Sequence, residues 1–431
     1  MPDTNTKNMN QFDSVGGNKD NIFHFNDMKP TKTTNSFELF SQGSYGCVTY
    51  PRIRCDTGRK DTQNKSNISK LTTKTFYTEN EYIVGELLNN IKRGLKTEAE
   101  AEAESSTSKS SKTKIMEELE IMDHLNYVES KCEIKKEKLR INRRKHKCKV
   151  IDKEDSKVVL LKAKFIKSVE MSEFLFDKFS MKLLIRYYYF LLSCMKFLHS
   201  HNIVHHDLHL GNVLIDESKR FHVIDFGISI HVPRFYHDKK LDFQYMKKIL
   251  LNFDPSWRFW PMEYHILSFY AFKRKPLDEK TLTKILDEYF KGDNKYFFGH
   301  YFGKLENYKR RCLEFLRDKY VNNAPIEEHC RYIIDNSAFS WDIYQVNYIM
   351  LYLLRLYKIG YAHSLVELLK IGLHFDFERR HNAEYYLEDV LSITVEQKNI
   401  TESMFTMNGK PLTTTKDKYL VLSTSGTSMM K

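Results

Sequence analysis

The sequence contains no apolar run long enough to cross a bilayer. Its most apolar segment, Tyr187 to Met195, is bounded by Arg186 and Lys196 and falls short of the roughly 20 residues a spanning helix needs. It reads as a buried helix. Met1 to Asn10 is polar, without the apolar core of a secretory signal. Cysteine is scarce, with seven residues in 431, an odd number, scattered and without a C-x-x-C pair. Such usage argues against a disulfide framework or a zinc site and for a reducing compartment. A soluble, intracellular chain is therefore expected. No internal repeat is present.

What is present is the composition of an ordinary globular protein, 41% hydrophobic and 29% charged. At 431 residues the chain can bury a sizeable core, and one two-lobed domain with insertions is expected. Net charge is +12. The plain reading is a solvated basic surface that helps with polyanionic nucleotides and acidic substrates. The sharper reading is nucleic acid, because Lys131 to Lys153 includes Lys135, Lys136, Lys138, Arg140, Arg143, Arg144, Lys145, Lys147 and Lys149. No aromatic residue interleaves that run after Tyr127, so a base-stacking platform is not supported. Nucleic acid is not the favoured partner.

Residues 1–34 are polar and aperiodic and read as disordered. Order is expected from the short alternating strand Ser36 to Phe40. Residues 97–114 (TEAEAEAESSTSKSSKTK) are of low complexity, and a flexible insertion is expected there. Strands are expected at Cys148 to Ile151 and Val158 to Leu161, and helices from Met181 onward.

The chemistry concentrates in His205-His206-Asp207-Leu208-His209-Leu210-Gly211-Asn212, followed thirteen residues later by Asp225-Phe226-Gly227. One carboxylate stands five residues before an amide, and a second carboxylate follows an apolar strand. Phosphoryl transfer needs that inventory: an acceptor for a hydroxyl proton and oxygen ligands for Mg²⁺. As a pattern, H-x-D-L-x-x-x-N followed by D-F-G resembles the catalytic core of protein kinases. The resemblance assigns Asp207 to the acceptor hydroxyl and Asn212 and Asp225 to the metal. It makes His205 a structural residue bonded to backbone near the Asp-Phe-Gly turn. Three histidines in five residues (205, 206 and 209) also raise a zinc alternative.

Upstream, Phe40-Ser41-Gln42-Gly43-Ser44-Tyr45-Gly46-Cys47-Val48 resembles the kinase glycine-rich loop, with Ser41 in place of the first glycine. Glycine lets backbone N–H groups approach phosphates closely. Lys70, on the strand-like Asn67 to Leu71, would touch the α- and β-phosphates, with Lys74 as its rival. Glu81 opens an apolar stripe at helical spacing (Val84, Leu88, Ile91) and would pair with that lysine; Glu79 and Glu86 compete. By the same resemblance Val158 to Phe165 is the fifth strand. Ala163 would be the gatekeeper, and the backbone of Lys164 and Ile166 would meet adenine.

The residue before Asp207 is His206, where many kinases have an arginine that pairs with an activation-segment phosphate. Activity without such phosphorylation is expected. D-L-H-x-G-N also occurs in aminoglycoside and choline kinases. Against that class stand three features resembling protein kinases. Trp260-Pro261-Met262-Glu263 resembles A-P-E, and Ser256 falls seven residues before Glu263, where the substrate platform lies. Trp341-Asp342-Ile343-Tyr344 resembles the start of the central large-lobe helix, its Asp receiving catalytic-loop N–H groups. Arg380 fits the late arginine that pairs with the A-P-E glutamate.

The resemblance covers about residues 36–395 and is closest to the Ser/Thr kinases of large double-stranded DNA viruses. It implies an α+β, bilobal fold. A small β-rich N-lobe with one helix would span 35–166, carrying insertions at 97–114 and 131–147. A large, mainly helical C-lobe would span 167–395, with a helical insertion at about 267–338 and a tail at 396–431. It further implies ATP with Mg²⁺, or Mn²⁺ in its place, protein Ser/Thr acceptors and no membrane partner. Localisation would be the host cytoplasm or the virion. A small-molecule phosphotransferase and a pseudokinase scaffold are the alternatives.

Overall fold

The computed structural model describes residues 38–42, 46–55, 66–104, 109–139, 148, 157–169, 180–250, 253–357 and 363–396. The first layer is an antiparallel sheet ordered β1-β2-β3-β6-β5. Its strands are β1 (Glu38–Gln42), β2 (Cys47–Tyr50), β3 (Asn67–Thr72), β5 (Ser130–Lys135) and β6 (Lys157–Lys164). In β6 alternate residues serve opposite faces, as the twofold period of a strand requires. Val158 and Leu160 join a cluster with Cys47, Ile53, Leu71 and Ile134, whereas Val159 and Leu161 pack with Val128 and Tyr82. A strand buried on both faces reads as the continuous apolar run Val158–Leu161. Lys70 sits mid-sheet, opposite Val48 on one side and Leu161 on the other.

Two helices follow β3, where one was expected: α1 (Phe76–Glu104) and α2 (Lys109–His124). Val84 and Leu88 of α1 are fully buried. Gly85 lets the helix approach closely, since a Cβ there would lie 2.1 Å from the Val128 carbonyl oxygen. The expected flexible insertion at 97–114 departs from this picture: α1 runs on through Glu104 and α2 starts at Lys109. The alternating Ala and Glu that cannot build a core are strong helix formers, and they extend α1 as a largely exposed helix.

The basic stretch at 131–147 is likewise not wholly an insertion. Its first five residues belong to β5, paired along β6 from Ser130↔Lys162 to Lys135↔Lys157; residues 140–147 lie outside the described residues, as does the strand expected at 149–151. Cysteine requires a further correction. Cys47 is disulfide-bonded to Cys148 and Cys55 to Cys132, each with Cα atoms 6.1 Å apart. Sequence separations of 101 and 77 residues hid this proximity, which the fold of the small sheet supplies. The argument for a reducing compartment from unpaired cysteines is thereby removed. Cys194, Cys312 and Cys330 are free and buried.

The second layer is helical, apart from a small sheet ordered β4-β10-β9-β7 (Leu125–Asn126, Phe221–Ile224, Val213–Asp216, Ser168–Val169) and the pairs β8 with β11 (Ile203–Val204, Ile230–His231) and β12 with β13 (Tyr236–His237, Lys240–Leu241). The helices are α3 (Met181–Ser200), α4 (Phe243–Ile249), α5 (Met262–Lys273), α6 (Glu279–Tyr289), α7 (Gly292–Tyr301), α8 (Leu305–Tyr320), α9 (Ile326–Leu356), α10 (His363–Gly372) and α11 (Ala383–Glu396). The apolar run Tyr187–Met195 lies inside α3, buried except for Tyr189, which is half-buried. Helix α9 begins well before Trp341, at Ile326. Pro325 stands at its N-cap, where it offers no side-chain cap, and Glu327 and Glu328 lie in its first turn, where the helix dipole favours negative charge. Among the described residues no helix is long and apolar enough to cross a membrane.

Candidate active site

Four elements converge on one cleft, lined by Lys70, Thr72, Tyr77, Thr78, Glu81, Asp207, Asp225, Gly227 and Ile228. Strand β3 contributes Lys70 and α1 contributes Glu81. Lys70 Nζ donates to Glu81 Oε2 at 2.8 Å and Oε1 at 3.0 Å, and to Asp225 Oδ1 at 3.2 Å. Burial alone would push the Lys70 ammonium down, but Asp225 and Glu81 outweigh it and hold its pKa above the ordinary lysine value. Burial would also raise Asp225; the Lys70 charge and the hydrogen bonds from Lys70 and Gly227 carry its carboxyl below the usual range.

The rivals are sorted by position. Lys74 pairs with Glu133 in solvent, 3.4 Å away, and Glu79 pairs with Lys131 at 2.6 Å. Glu86 accepts a hydrogen bond from Tyr82 on the exposed side of α1. Lys74 lies beyond the end of β3 at Thr72, and Glu79 and Glu86 stand about 200° and about 140° around α1 from Glu81, so of these candidates Lys70 and Glu81 are the two that point inward together.

Asp207 and Asn212 lie on the loop between β8 and β9. The Asn212 amide donates to the Asp207 carbonyl at 2.8 Å and to its Oδ2 at 3.1 Å. Burial raises the Asp207 pKa, opposed by the nearby His209. The three histidine rings are engaged separately. His205 faces the Ile224 carbonyl, with Nε2 3.1 Å from its oxygen. His206 stacks on Trp260 with centroids 5.1 Å apart, and His209 Nδ1 accepts from the Gly211 N–H. They do not share a metal-binding point.

The loop is held from below by α9. Asp342 Oδ2 accepts the His205 N–H and Oδ1 the His206 N–H, each at 2.8 Å. His206 (φ 69°) and Asp225 (φ 64°) adopt left-handed backbone, which costs non-glycine residues roughly 1–3 kcal/mol and persists only where surroundings over-determine it. The His206 carbonyl indeed accepts from Gln345 Nε2 at 2.8 Å and from Trp260 Nε1 at 3.1 Å. Gln345 also takes the Leu208 N–H on Oε1. Sequence reasoning missed Gln345. Its signal was a polar residue about one helical turn beyond Asp342, in the stretch Trp341–Leu354 where Asp342, Gln345 and Asn347 interrupt an apolar and aromatic run.

Glu263, at the start of α5, receives Arg380 Nη1 at 2.6 Å and Nη2 at 2.9 Å, both side chains buried. Ser256 is exposed, and its N–H and hydroxyl both bond Asp254 Oδ1. Of the glycine-rich stretch, Phe40, Ser41 and Gln42 lie on β1, and Cys47 and Val48 on β2, with Gln42 opposite Cys47. Gly43, Ser44 and Tyr45 lie outside the described residues. At Gly46 a Cβ would stand 2.5 Å from the Leu71 carbonyl oxygen, so this position needs glycine for packing. Lys164 ends β6 opposite Asn67, and its carbonyl accepts from Asn126 at 3.2 Å. Ile166 follows in irregular backbone. Neither lines the cleft around Lys70.

Residues 96–248, about a third of the chain, match the family model described as protein kinase domain. That stretch contains Asp207, Asn212 and Asp225, and begins after Lys70 and Glu81. A 56-residue stretch is 43% identical to a probable serine/threonine-protein kinase KIN1 homolog of Encephalitozoon cuniculi (strain GB-M1), covering 13% of this chain and 9% of that relative. The aligned part thus spans under a tenth of the relative's length. At the level of family both comparisons support a domain of protein-kinase type.

Proposed function

We propose that this chain is an ATP-dependent serine/threonine protein kinase, transferring the γ-phosphoryl group of Mg-ATP to protein hydroxyls. The observation that carries this reading is the convergence of Lys70, Glu81, Asp207 and Asp225 on one cleft between sheet and helices, with Asn212 bonded to Asp207 beside it. The donor set suits a hard cation: Asp225 offers carboxylate oxygen, and Asn212, whose N–H groups are directed at Asp207, offers its amide oxygen. These two residues would hold Mg²⁺ or Mn²⁺, which supplies neutralisation of phosphate charge.

Lys70, oriented by Glu81, binds the α- and β-phosphates. The backbone of Phe40 to Val48 covers the phosphates, and that of Lys164 and Ile166 takes the adenine. Asp207 Oδ2 is tied to Asn212, which leaves Oδ1 to orient the acceptor hydroxyl. As the acceptor oxygen bonds to phosphorus and the bond to ADP breaks, the hydroxyl proton passes to Asp207. Protein acceptors are favoured because the Glu263–Arg380 pair would brace the Ser256 segment seven residues upstream, an arrangement suited to an open platform for extended polypeptide. The likeness to kinases of large double-stranded DNA viruses belongs to the same proposal and rests on sequence motifs alone.

Incubation with γ-labelled ATP, Mg²⁺, mixed protein acceptors and small aminoglycoside or choline acceptors tests the reading. Mass spectrometry should find phosphoserine and phosphothreonine, with phosphotyrosine much scarcer. Phosphorylated small molecules alone would establish the small-molecule class, and no transfer to any acceptor would establish a scaffold.

A further inference from the structure

The residue beside Glu81 does something the proposed chemistry does not use. Asn80 is 1% exposed, and both its donor and its acceptor ends are engaged by the segment that follows Asp225-Phe226-Gly227. Its Nδ2 donates to the Ser229 carbonyl at 2.8 Å and to the Gly227 carbonyl at 3.2 Å. Its Oδ1 accepts from Arg234 Nη1 at 2.9 Å. The Arg234 guanidinium also lies over the Tyr245 ring, 4.6 Å from its centroid. Tyr245 in turn meets Phe76, in the first turn of α1, edge to face at 6.0 Å.

We propose that Asn80 and Arg234 form a phosphate-independent latch that docks α1 on the Gly227–Arg234 segment and so keeps Glu81 on Lys70. The inference rests on the kinase reading and concerns its regulation. Neighbouring residues on a helix point about 100° apart, so Asn80 and Glu81 address two partners from one turn. A rotation or outward shift of α1 that withdraws Glu81 from Lys70 also breaks two buried hydrogen bonds of Asn80 and a third, half-buried one. Only a side-chain amide satisfies this position, since two carbonyls require donors while the guanidinium requires an acceptor. Aspartate would set a carboxylate against two carbonyl oxygens, and alanine would leave buried groups unpaired.

The same segment is fixed at further points without added charge. The Ser229 hydroxyl donates to the His205 carbonyl at 3.0 Å, tying the latch to the catalytic loop. At the far end Trp260 stacks on His206, whose ring is fully buried. Arg234, a cation within this segment, is directed at Asn80 and Tyr245. Asn80 and Arg234 are thus positioning residues, acting on transfer through Glu81 and Lys70.

The full chain, dephosphorylated and verified as such by intact mass, should retain its kcat. Asn80→Ala and Asn80→Asp should lower kcat about tenfold or more, with the KM for ATP changed less. In a Glu81→Gln background the same substitutions should cost under about twofold, because residues that act as one unit are non-additive. A merely structural role would give equal losses in both backgrounds, and that result overturns the latch. Hydrogen exchange supplies a readout independent of catalysis: Asn80→Ala should raise exchange in 76–84 and 227–235 together. If exchange in the two segments is uncoupled, or Asn80→Ala has parental exchange and kcat, the latch is wrong. A parent protein without transferase activity but with coupled exchange would sink the kinase reading and leave the latch standing.

Discussion

At the scale of single residues, the two carboxylates of the cleft are separated by their partners. Asp225 is held charged by Lys70 and Gly227, whereas Asp207, tied through Oδ2 to Asn212, is pushed upward by burial. On the proposed reading, Asp207→Asn should therefore abolish turnover while leaving nucleotide binding nearly intact, since it would remove the proton acceptor. Asp225→Asn should in addition weaken Mg²⁺-dependent nucleotide binding. Titration calorimetry with ATP, with and without Mg²⁺, separates the two, and wild-type phosphorylation rates in both variants would refute the assignment. Lys70 and Glu81 were legible because strand alternation and helical spacing decide which of several lysines and glutamates faces inward. Asn80 was not, because two of its three bonds run to backbone carbonyls, which leave no partner motif in the sequence; Gln345, which bonds only backbone in the catalytic loop, left no more than a polar residue about one turn beyond Asp342. The disulfide partners were hidden for a related reason, as pairing is set by the distance between strands and not by spacing along the chain.

At the scale of elements, α1 is the part whose position governs the site, and Gly85 sets how closely it approaches. An added Cβ would meet the Val128 carbonyl oxygen at 2.1 Å and its carbon at 3.0 Å, both backbone atoms with little freedom to move. Gly85→Ala should thus shift α1 outward and lengthen the Lys70–Glu81 contact despite the better helix propensity of alanine. The expected outcome is a protein destabilised by about 1–3 kcal/mol, the usual cost of overpacking, with kcat lowered more than that loss of folded fraction explains. Denaturant melts combined with active-site titration check this. The length of α1 was the element least legible in advance. Glu98, Glu100 and Glu102 alternate with alanine, and the low-complexity reading, which asks only whether a segment can build a core, overlooked that such residues prolong a helix already nucleated by a packed stretch. The apolar run of α3 and the two-faced strand β6 were plain, since burial writes itself directly into hydrophobicity.

At the scale of the whole molecule, the helical layer is built around buried polar groups that must be neutral or paired. Burial pushes the His206 ring down to about 3, against the pull of Asp342, and the His265 ring down to about 4. Between pH 6.5 and those values the unfolded chain binds protons that the folded chain refuses, so stability falls as pH is lowered through this window. Each of the two should contribute about 2 kcal/mol of loss between pH 6.5 and 4.5, and His265→Gln should flatten the decline in chemical-denaturation midpoints over that range. The Glu263–Arg380 pair is the opposite case, two buried charges that satisfy one another through a two-pronged contact. Removing one partner leaves the other charge buried and uncompensated, which costs about 3–5 kcal/mol. Arg380 also donates to the His374 carbonyl at 2.8 Å and to the Ser340 hydroxyl at 3.2 Å, so it ties α5, α9 and the turn before α11 into one body. On the proposed reading, Arg380→Ala should accordingly lower both stability and phosphorylation of protein acceptors, while ATP affinity, assigned there to the Lys70 cleft, stays within about twofold. Replacing both partners by apolar residues of similar volume, as in Glu263→Leu with Arg380→Met, should recover much of the stability without recovering activity, because the apolar pair restores packing but not the orientation of the Ser256 segment. If the double variant regains full activity, the pair holds the fold alone and the platform needs no charge to shape it.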